Sequence, residues 1–434
     1  MRKRLIFAAL AALPLLAQDR ITGWSETTPL PFEGVYAARA AAYKGRLLVF
    51  AFNGATYAGD VQPDGSIPAW RRTLDVPNVH PQAVPDSWPI PCVIGDYVVV
   101  PDSPVSLVGK LGPAGEILSW SNGPGLATPT YVVHATVCSG NRLYVLAGWA
   151  NGGLLSAVQT ATLDGTGNLS AWQSLPPLPY ELNDPQATIH DGYLYVFGGE
   201  GHYGDLSVSR NVLRAQVLPD GSLGAWTSRG YLKEARPHAM HLKYGNTVHV
   251  IGGGVHTYVL DTVESALFSD LGATSLHVDS APMPVTLTFA GSAVVGRFGY
   301  LASGNFGNYA IPRSNRVFYT AFADRTPPVI TGMPSQCSLW PVNQKLVPVA
   351  TVSATASAAA LASLAIQITS NETLAAGDVR VTGPELGPKL IELKADRAGS
   401  GKGREYRITA TARDAAGNEA TAKATCVVPH DQGK

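Results

Sequence analysis

IHDGYLYVFGG, residues 189–199, is the segment from which the fold is predicted. Its centre is Asp191-Gly192, and an Asp-Gly pair flanked by hydrophobic residues is the strongest short signal of a β-hairpin. The paired glycines Gly198 and Gly199 end the second apolar run, where glycine permits a sharp change of chain direction. We therefore predict two antiparallel strands joined by a tight turn.

Related hairpins recur through residues 20–322. Five further copies keep the same order of apolar run, turn and apolar run: AAYKGRLLVFAF (41–52), PCVIGDYVVVPD (91–102), TVCSGNRLYVLAG (136–148), LKYGNTVHVIGG (242–253) and AVVGRFGYLASG (293–304). The aligned turn residues, where Gly or Asn suits a positive φ, are Gly45, Gly95, Asn141, Gly192, Gly245 and Gly296. They recur about every 50 residues, which is typical of a four-stranded propeller blade.

The second half of each repeat leads from a tight turn into a strand that carries tryptophan. The lines are PDGSIPAW (63–70), PAGEILSW (113–120), DGTGNLSAW (164–172) and PDGSLGAW (219–226), while the fifth repeat has Leu276-His277 instead. Trp24 precedes the first hairpin, and the last copy ends at VFYTAFA (317–323) without a tryptophan. We expect the N-terminal segment to supply the outer strand of the last unit, which predicts an all-β, closed six-bladed β-propeller.

These lines resemble the repeats of kelch-like propellers, best in YLYVFGG (193–199) and HVIGG (249–253), but the Tyr that kelch repeats place before the Trp is absent. The turn-to-Trp lines have a weaker similarity to the Asp-box of sialidase propellers. Asp220 to Trp226 is one residue too long for that box, and the expected Ser is missing. A plain structural hairpin is the favoured interpretation there.

The N-terminus has the three parts of a signal peptide, which are a basic start at Arg2–Arg4, an apolar run and a short junction at Ala17-Gln18. We predict a signal peptide over 1–17 and a secreted, extracellular or periplasmic protein. The apolar run is shorter than the roughly 20 residues that span a bilayer, so no membrane span is expected. Lys plus Arg and Asp plus Glu are 32 each, and this balance argues against nucleic acid as a partner.

The composition changes at DRTPPVITGMPSQC (324–337), which predicts a propeller over 18–325 and a second domain over 326–434. Short alternating strands in that second part predict a β-sandwich. Segments such as RDAAGNEATA (413–422) resemble the immunoglobulin-like modules of secreted bacterial proteins, which implies a bacterial source and an accessory role as spacer or attachment module.

Four cysteines in an exported chain are expected to pair, in one of three possible connectivities. We favour one bridge per domain, Cys92–Cys138 and Cys337–Cys426. Cys92 and Cys138 each lie three residues before the aligned turn position, so they are expected side by side on adjacent inner strands.

Two sets of loops share one face of a propeller, and aromatic, amide, carboxylate and imidazole groups cluster in them here. Such groups suit sugar or peptide recognition, because rings stack on apolar patches and polar groups fix orientation. The predicted ligand-binding residues are Trp149, Glu200, His202, Tyr203, His256, Asn305 and Phe306. Further residues of the same loops are Asn151, Tyr258, Asn308, His80, Trp88, Tyr180, Arg236 and His238.

The sequence has no GxSxG elbow, phosphate loop, dinucleotide fingerprint or metal-binding spacing, so no catalytic residue, metal or cofactor is predicted. The kelch-like resemblance includes carbohydrate enzymes such as sialic acid mutarotases, in which Arg, Glu and His near the axis handle an acid sugar. By position in the repeat, the counterparts here would be Arg236, Glu200 and His238.

We therefore predict an exported, monomeric binding module that recognises an extracellular carbohydrate or protein through one face. The alternative is a carbohydrate-active enzyme, mutarotase- or glycosidase-like, that uses the same face. A third interpretation, a scaffold for partner proteins, predicts a flat apolar patch instead of a pocket.

Overall fold

A computed structural model describes most of the chain, and the predicted signal peptide lies outside the described residues. The described ranges are 20–32, 37–78, 90–130, 133–150, 152–202, 207–255, 258–305, 314–323, 327–335, 337–356, 361–399 and 402–431. The chain divides into two compact units, Met1–Phe322 and Ala323–Lys434. Both are built from antiparallel β-sheets, and the described residues contain no α-helix.

The first unit contains β1 (Ser25–Thr27), which belongs to its last sheet, and six four-stranded antiparallel sheets numbered in chain order. Sheet 1 consists of β2 (Ala38–Tyr43), β3 (Arg46–Ala51), β4 (Thr56–Asp60) and β5 (Trp70–Arg72), and sheet 2 consists of β6 (Cys92–Ile94), β7 (Tyr97–Val100), β8 (Val105–Leu111) and β9 (Ile117–Pro124). Sheet 3 consists of β10 (Ala135–Ser139), β11 (Arg142–Leu146), β14 (Val158–Thr162) and β15 (Gln173–Leu175). A separate ribbon of β12 (Trp149–Ala150) and β13 (Gly153–Leu154) lies between β11 and β14 in the sequence.

Sheets 4 to 6 follow the same plan. They consist of β16 (Gln186–His190), β17 (Tyr193–Phe197), β18 (Asn211–Gln216) and β19 (Thr227–Tyr231); β20 (Met240–Tyr244), β21 (Thr247–Ile251), β24 (Val263–Leu267) and β25 (Val278–Ser280), with a ribbon of β22 (Gly254–Val255) and β23 (Tyr258–Val259); and β26 (Gly291–Val295), β27 (Phe298–Ala302), β28 (Val317–Ala321) and β1. Two short 3-10 helices cover Val208–Arg210 and Thr274–Leu276.

The first strands of the six sheets contact one another in turn, from β2 through β6, β10, β16 and β20 to β26, and β26 contacts β2. Six apolar clusters fill the spaces between successive sheets. One example joins Phe197 of sheet 4 to Val248 and Val250 of sheet 5. The apolar alternation of the hairpins therefore buries both faces of each sheet.

The segment after Trp24 pairs with the last sheet, as its repeat position predicted. β1 lies antiparallel to β28, with Ser25 opposite Tyr319. The Arg316 guanidinium donates two hydrogen bonds, of 2.6 and 2.7 Å, to the Glu26 carboxylate. The sixth sheet thus combines strands from both ends of the first unit.

In sheet 3 the predicted turn is present, but the positive φ expected at Asn141 falls on the residue before it. There the left-handed residue is Gly140, with φ 60°, and not Asn141. The turn consists of Gly140-Asn141 between β10 and β11, and its positive φ falls on the first of the two residues, as it does at Gly95 of sheet 2. The repeat alignment placed the turn residue one position too late.

The cysteines form two pairs at disulfide distance. Cys92 on β6 and Cys138 on β10 have Cα atoms 6.0 Å apart, which links the first strands of sheets 2 and 3. Cys337 and Cys426 have Cα atoms 4.5 Å apart within the second unit. Such pairs are typical of proteins outside the reducing cytosol.

The second unit has a four-stranded and a three-stranded antiparallel sheet around one core. In sheet order these contain β29 (Val329–Thr331), β30 (Leu346–Thr355), β33 (Lys389–Lys394) and β32 (Val379–Thr382), and β31 (Leu361–Ser370), β34 (Gly403–Asp414) and β35 (Glu419–Pro429). Both sheets contribute to the core, for example through Val352 of β30 and Ile408 of β34. No helix in the described part of the chain is long and apolar enough to cross a membrane.

Candidate functional site

The site begins at the β12–β13 ribbon, which follows the second strand of sheet 3. Trp149 lies opposite Leu154 in this ribbon. The Leu155 amide donates to the Gly148 carbonyl at 2.8 Å, and the Gly148 amide donates to the Leu182 carbonyl at 3.0 Å. These bonds fix the ribbon against the segment that leads into sheet 4.

Glu200 follows the second strand of sheet 4 and is held by the same segment. The Glu200 and Asn183 backbones exchange two hydrogen bonds of 2.7 and 2.8 Å, and the Asn183 side-chain amide donates to Glu200 Oε2 at 3.3 Å. Gly199 has φ +81°, and a Cβ there would lie 3.0 Å from Pro185 Cα and 3.1 Å from the Asn183 carbonyl oxygen. A glycine before Glu200 is therefore what allows this close approach.

Together these elements enclose a pocket of about 220 Å³ on the loop side of sheets 3 and 4. Its lining residues are Trp149, Gly152, Gly153, Leu154, Asn183, Glu200, Gly201 and His202. The indole is half-buried and the His202 side chain is exposed. An aromatic ring, an amide and a carboxylate thus converge on one concave surface.

Behind the pocket, Glu200 is the first member of a chain of alternating charges. Glu200 Oε2 lies 3.3 Å from His238 Nε2, and His238 Nδ1 lies 3.3 Å from Asp184 Oδ2. The second oxygen of Asp184 accepts a 2.8 Å hydrogen bond from Arg39. The His238 ring also stacks on Phe289, with ring centroids 4.2 Å apart. The chain runs from the pocket surface to the buried Asp184 carboxylate.

The backbone conformation of Asp184 and His238 recurs at the equivalent position of two other sheets. Val133, Asp184, His238 and Phe289 each stand two residues before the first strand of their sheet, and each has a positive φ, between 45° and 57°. Such a conformation is uncommon outside glycine and costs about 1–2 kcal/mol per residue. Hydrogen bonds between neighbouring sheets hold it, as where the Asp184 amide donates to the Val133 carbonyl at 2.8 Å.

These ion pairs shift the pKa values of the two buried groups that they join, His238 and Asp184. Burial alone would lower the pKa of His238, but hydrogen bonds to Asp184 and Glu200 outweigh it and raise that pKa. Burial would raise the pKa of Asp184, yet the charge of Arg39 and the contact with His238 hold it below its ordinary value. His238 therefore keeps its proton to higher pH than an ordinary histidine and can donate to both carboxylates at once.

A second, axial cavity of about 110 Å³ lies between the first strands, and residues around all six sheets line it, including Arg39, His134, Asp184 and His241. Burial, followed by the charge of Arg39, lowers the pKa of His134 to about 3. Neither of its ring nitrogens has a hydrogen-bond partner in the described part of the chain. Asp184 lines this cavity and contacts the pocket residue Glu200 through His238.

Arg236, the position-based counterpart of a carboxylate clamp, is not among the described residues that line the pocket. Its side chain is fully buried, and its N–H groups donate to the Gly252 and Thr262 carbonyls, the Thr262 hydroxyl, Glu234 and Glu264. A guanidinium has five N–H donors, and all five are used within the protein. Arg236 holds loops of sheet 5 together.

The other predicted residues lie in different environments. Trp149, Glu200 and His202 line one pocket, with His238 directly behind, whereas Asn305 is buried on sheet 6 and does not line it. Tyr180 packs against the core between sheets 3 and 4, and the Tyr258 hydroxyl donates to the Ala235 carbonyl at 3.2 Å. Tyr203, His256, Phe306, Asn151, Asn308, His80 and Trp88 lie outside the described residues.

Three residues of the site were not identified from the sequence: Asn183, Asp184 and Arg39. Asn183 and Asp184 precede a first strand, where the repeat alignment could have shown that Asp184 and His238 share one position. Arg39 lies on β2, where a charged residue in an apolar strand is itself a signal of a buried polar partner. Among the described residues, no group of three His, Cys, Asp or Glu side chains could hold a metal ion.

Comparisons with known proteins identify the fold alone. No protein-family description and no curated protein matches the sequence. Among solved structures, the protein YjhT matches with a TM-score of 0.50 and 11% identity, over 70% of this chain and 97% of its own. A fungal alcohol oxidase of the AA5 family, in complex with copper, matches with a TM-score of 0.50 and 14% identity, over 94% of this chain and 100% of its own.

Proposed function

We propose that this chain is an exported six-bladed β-propeller that binds a carbohydrate in the Trp149 pocket, followed by an immunoglobulin-like spacer or attachment domain. The ring of contacts among the six first strands, and the β1–β28 pairing, support the propeller. The two cysteine pairs support export.

One observation carries the binding role, namely the convergence of the Trp149 ring with Asn183 and Glu200 on a concave pocket of about 220 Å³. Sugars present an apolar ring face to aromatic side chains and hydroxyl groups to amides and carboxylates. A flat apolar patch would favour a protein partner or scaffold instead. The pocket's size and polar groups therefore favour a small ligand.

The test is a glycan-array screen of the full chain and of two variants. Trp149→Ala removes the ring from the pocket, whereas Tyr231→Ala removes an exposed aromatic side chain that does not line it. We expect saturable glycan binding that is lost in Trp149→Ala and retained in Tyr231→Ala. Absence of binding by the parent chain would reject the proposal, as would equal binding by Trp149→Ala.

The chain from Glu200 to Asp184 favours one second candidate, a carbohydrate-active enzyme. Glu200 lies at the pocket and contacts His238, so it is placed to exchange a proton with a bound sugar while the imidazole stabilises its charge. Turnover of any bound glycan that disappears in Glu200→Gln, with binding retained, would identify this activity. Binding without turnover would leave the recognition role alone.

A further inference from the structure

We propose that the Trp149 pocket selects sugars that offer hydroxyl or ammonium groups and discriminates against sugars that carry a carboxylate. This inference rests on the proposed carbohydrate-binding function and names its ligand class. It differs from what the position-based comparison with acid-sugar enzymes implied.

Of the described residues that line the pocket, Glu200 alone carries a formal charge when histidine is neutral. Glu200 contributes a carboxylate whose side chain is 19% exposed. Asn183 uses its N–H group toward Glu200, while its buried Oδ1 has no hydrogen-bond partner in the described part of the chain. The Asn183 amide therefore orients the Glu200 carboxylate at the pocket, through the 3.3 Å contact with Oε2.

No Lys or Arg side chain is among the residues that line the described pocket. The nearby cations are directed elsewhere. Arg236 donates all its N–H groups within sheet 5, and Arg39 binds the Asp184 carboxylate at 2.8 Å. His238 faces Asp184 with one ring nitrogen and Glu200 with the other.

A ligand carboxylate in this pocket would therefore lie against the Glu200 carboxylate. Like charges placed side by side at a binding surface weaken association strongly. A hydroxyl group would instead donate to the Glu200 carboxylate, and an ammonium group would add charge attraction to that hydrogen bond. The contrast between these three groups is the signature of the proposed selectivity.

The experiment compares matched sugars that differ in one group. For the ring type that the array identifies, the full chain is titrated with the neutral hexose, the hexosamine and the hexuronate at about pH 7, where an ordinary histidine is mostly neutral and an amine with a pKa of about 8 is mostly protonated. We expect the hexuronate to bind about tenfold more weakly than the hexose, or worse, and the hexosamine to bind at least as tightly.

Two variants test whether the selectivity depends on the carboxylate in the pocket or on a carboxylate elsewhere on the surface. Glu200→Gln should reduce the preference for hexose over hexuronate to about threefold or less, whereas Glu181→Gln, an exposed carboxylate two residues before Asn183, should preserve it. A hexuronate that binds as tightly as the hexose overturns this inference alone, as does a preference unchanged in Glu200→Gln. Absence of binding by every sugar would overturn the proposed function together with it.

Discussion

Asp184 and His238 occupy the same position in two consecutive sheets, two residues before the first strand, and their side chains meet with Oδ2 and Nδ1 3.3 Å apart. The same position holds Val133 in sheet 3 and Phe289 in sheet 6. In these four sheets the repeat supplies the same left-handed backbone, and the side chain at that position determines whether it packs or carries charge. In sheets 4 and 5 it carries charge, next to the pocket.

The raised pKa of His238 predicts a pH-dependent stability difference between the parent chain and His238→Asn. Because the folded pKa lies above that of the unfolded chain, this stabilisation is fully present below about pH 6.5 and is lost as pH rises through the folded value. Removing one partner of a buried charge pair costs about 3 kcal/mol. Urea unfolding of both proteins from about pH 5 to 9 measures the difference between their free energies of unfolding. A difference that grows with rising pH would contradict the assignment.

A second prediction compares two carboxylates that share Arg236. Glu264 is buried, accepts from the Lys233 amide at 2.8 Å and contacts His277, whereas the Glu234 side chain is 46% exposed. We expect Glu264→Ala to lower the free energy of unfolding by about 3–5 kcal/mol, because it removes the buried partner of Arg236 and the acceptor of the Lys233 amide. Glu234→Ala should cost about 1 kcal/mol or less. Urea unfolding at neutral pH compares the two, and equal losses would show that burial is not decisive here.

The same pair predicts a loss of stability in acid. Burial raises the pKa of Glu264, but the hydrogen bonds from His277 and the Lys233 amide outweigh it and lower that pKa. Its stabilisation is thus present above the unfolded pKa of about 4.3 and is lost as pH falls through the folded value. The parent chain and Glu264→Gln should therefore converge in stability toward about pH 3, as thermal unfolding across that range would measure.

Local chemistry explains what could be predicted from the sequence. The hairpins followed from alternation and turn residues within about ten residues, and the β1–β28 pairing followed from the recurrence of tryptophan about every 50 residues. The Arg39–Asp184–His238 contacts could not be predicted in this way, because they join three sheets and depend on left-handed residues with no common side chain.

The environment of Arg236 could not be predicted from the sequence either. An arginine in a loop between sheets suggests exposure, and only the folded chain places five acceptors around it. Trp149, Glu200 and His202 lie together at one pocket because each lies in a glycine-rich segment after the second strand of its sheet. The sequence thus indicated the face more reliably than the roles of its charged residues.

The last prediction separates backbone strain from the position of Glu200. Gly199 and Gly192 belong to the same hairpin region of sheet 4 and have φ +81° and +73°, but an added Cβ would be crowded only at Gly199. Both Gly199→Ala and Gly192→Ala should cost about 1–2 kcal/mol from the left-handed conformation. Only Gly199→Ala should also push against Pro185 and the Asn183 carbonyl, which displaces Glu200 and weakens glycan binding about tenfold or more. Calorimetric titration beside thermal unfolding measures both effects, and equal binding by the two variants would show that Glu200 does not require this close approach.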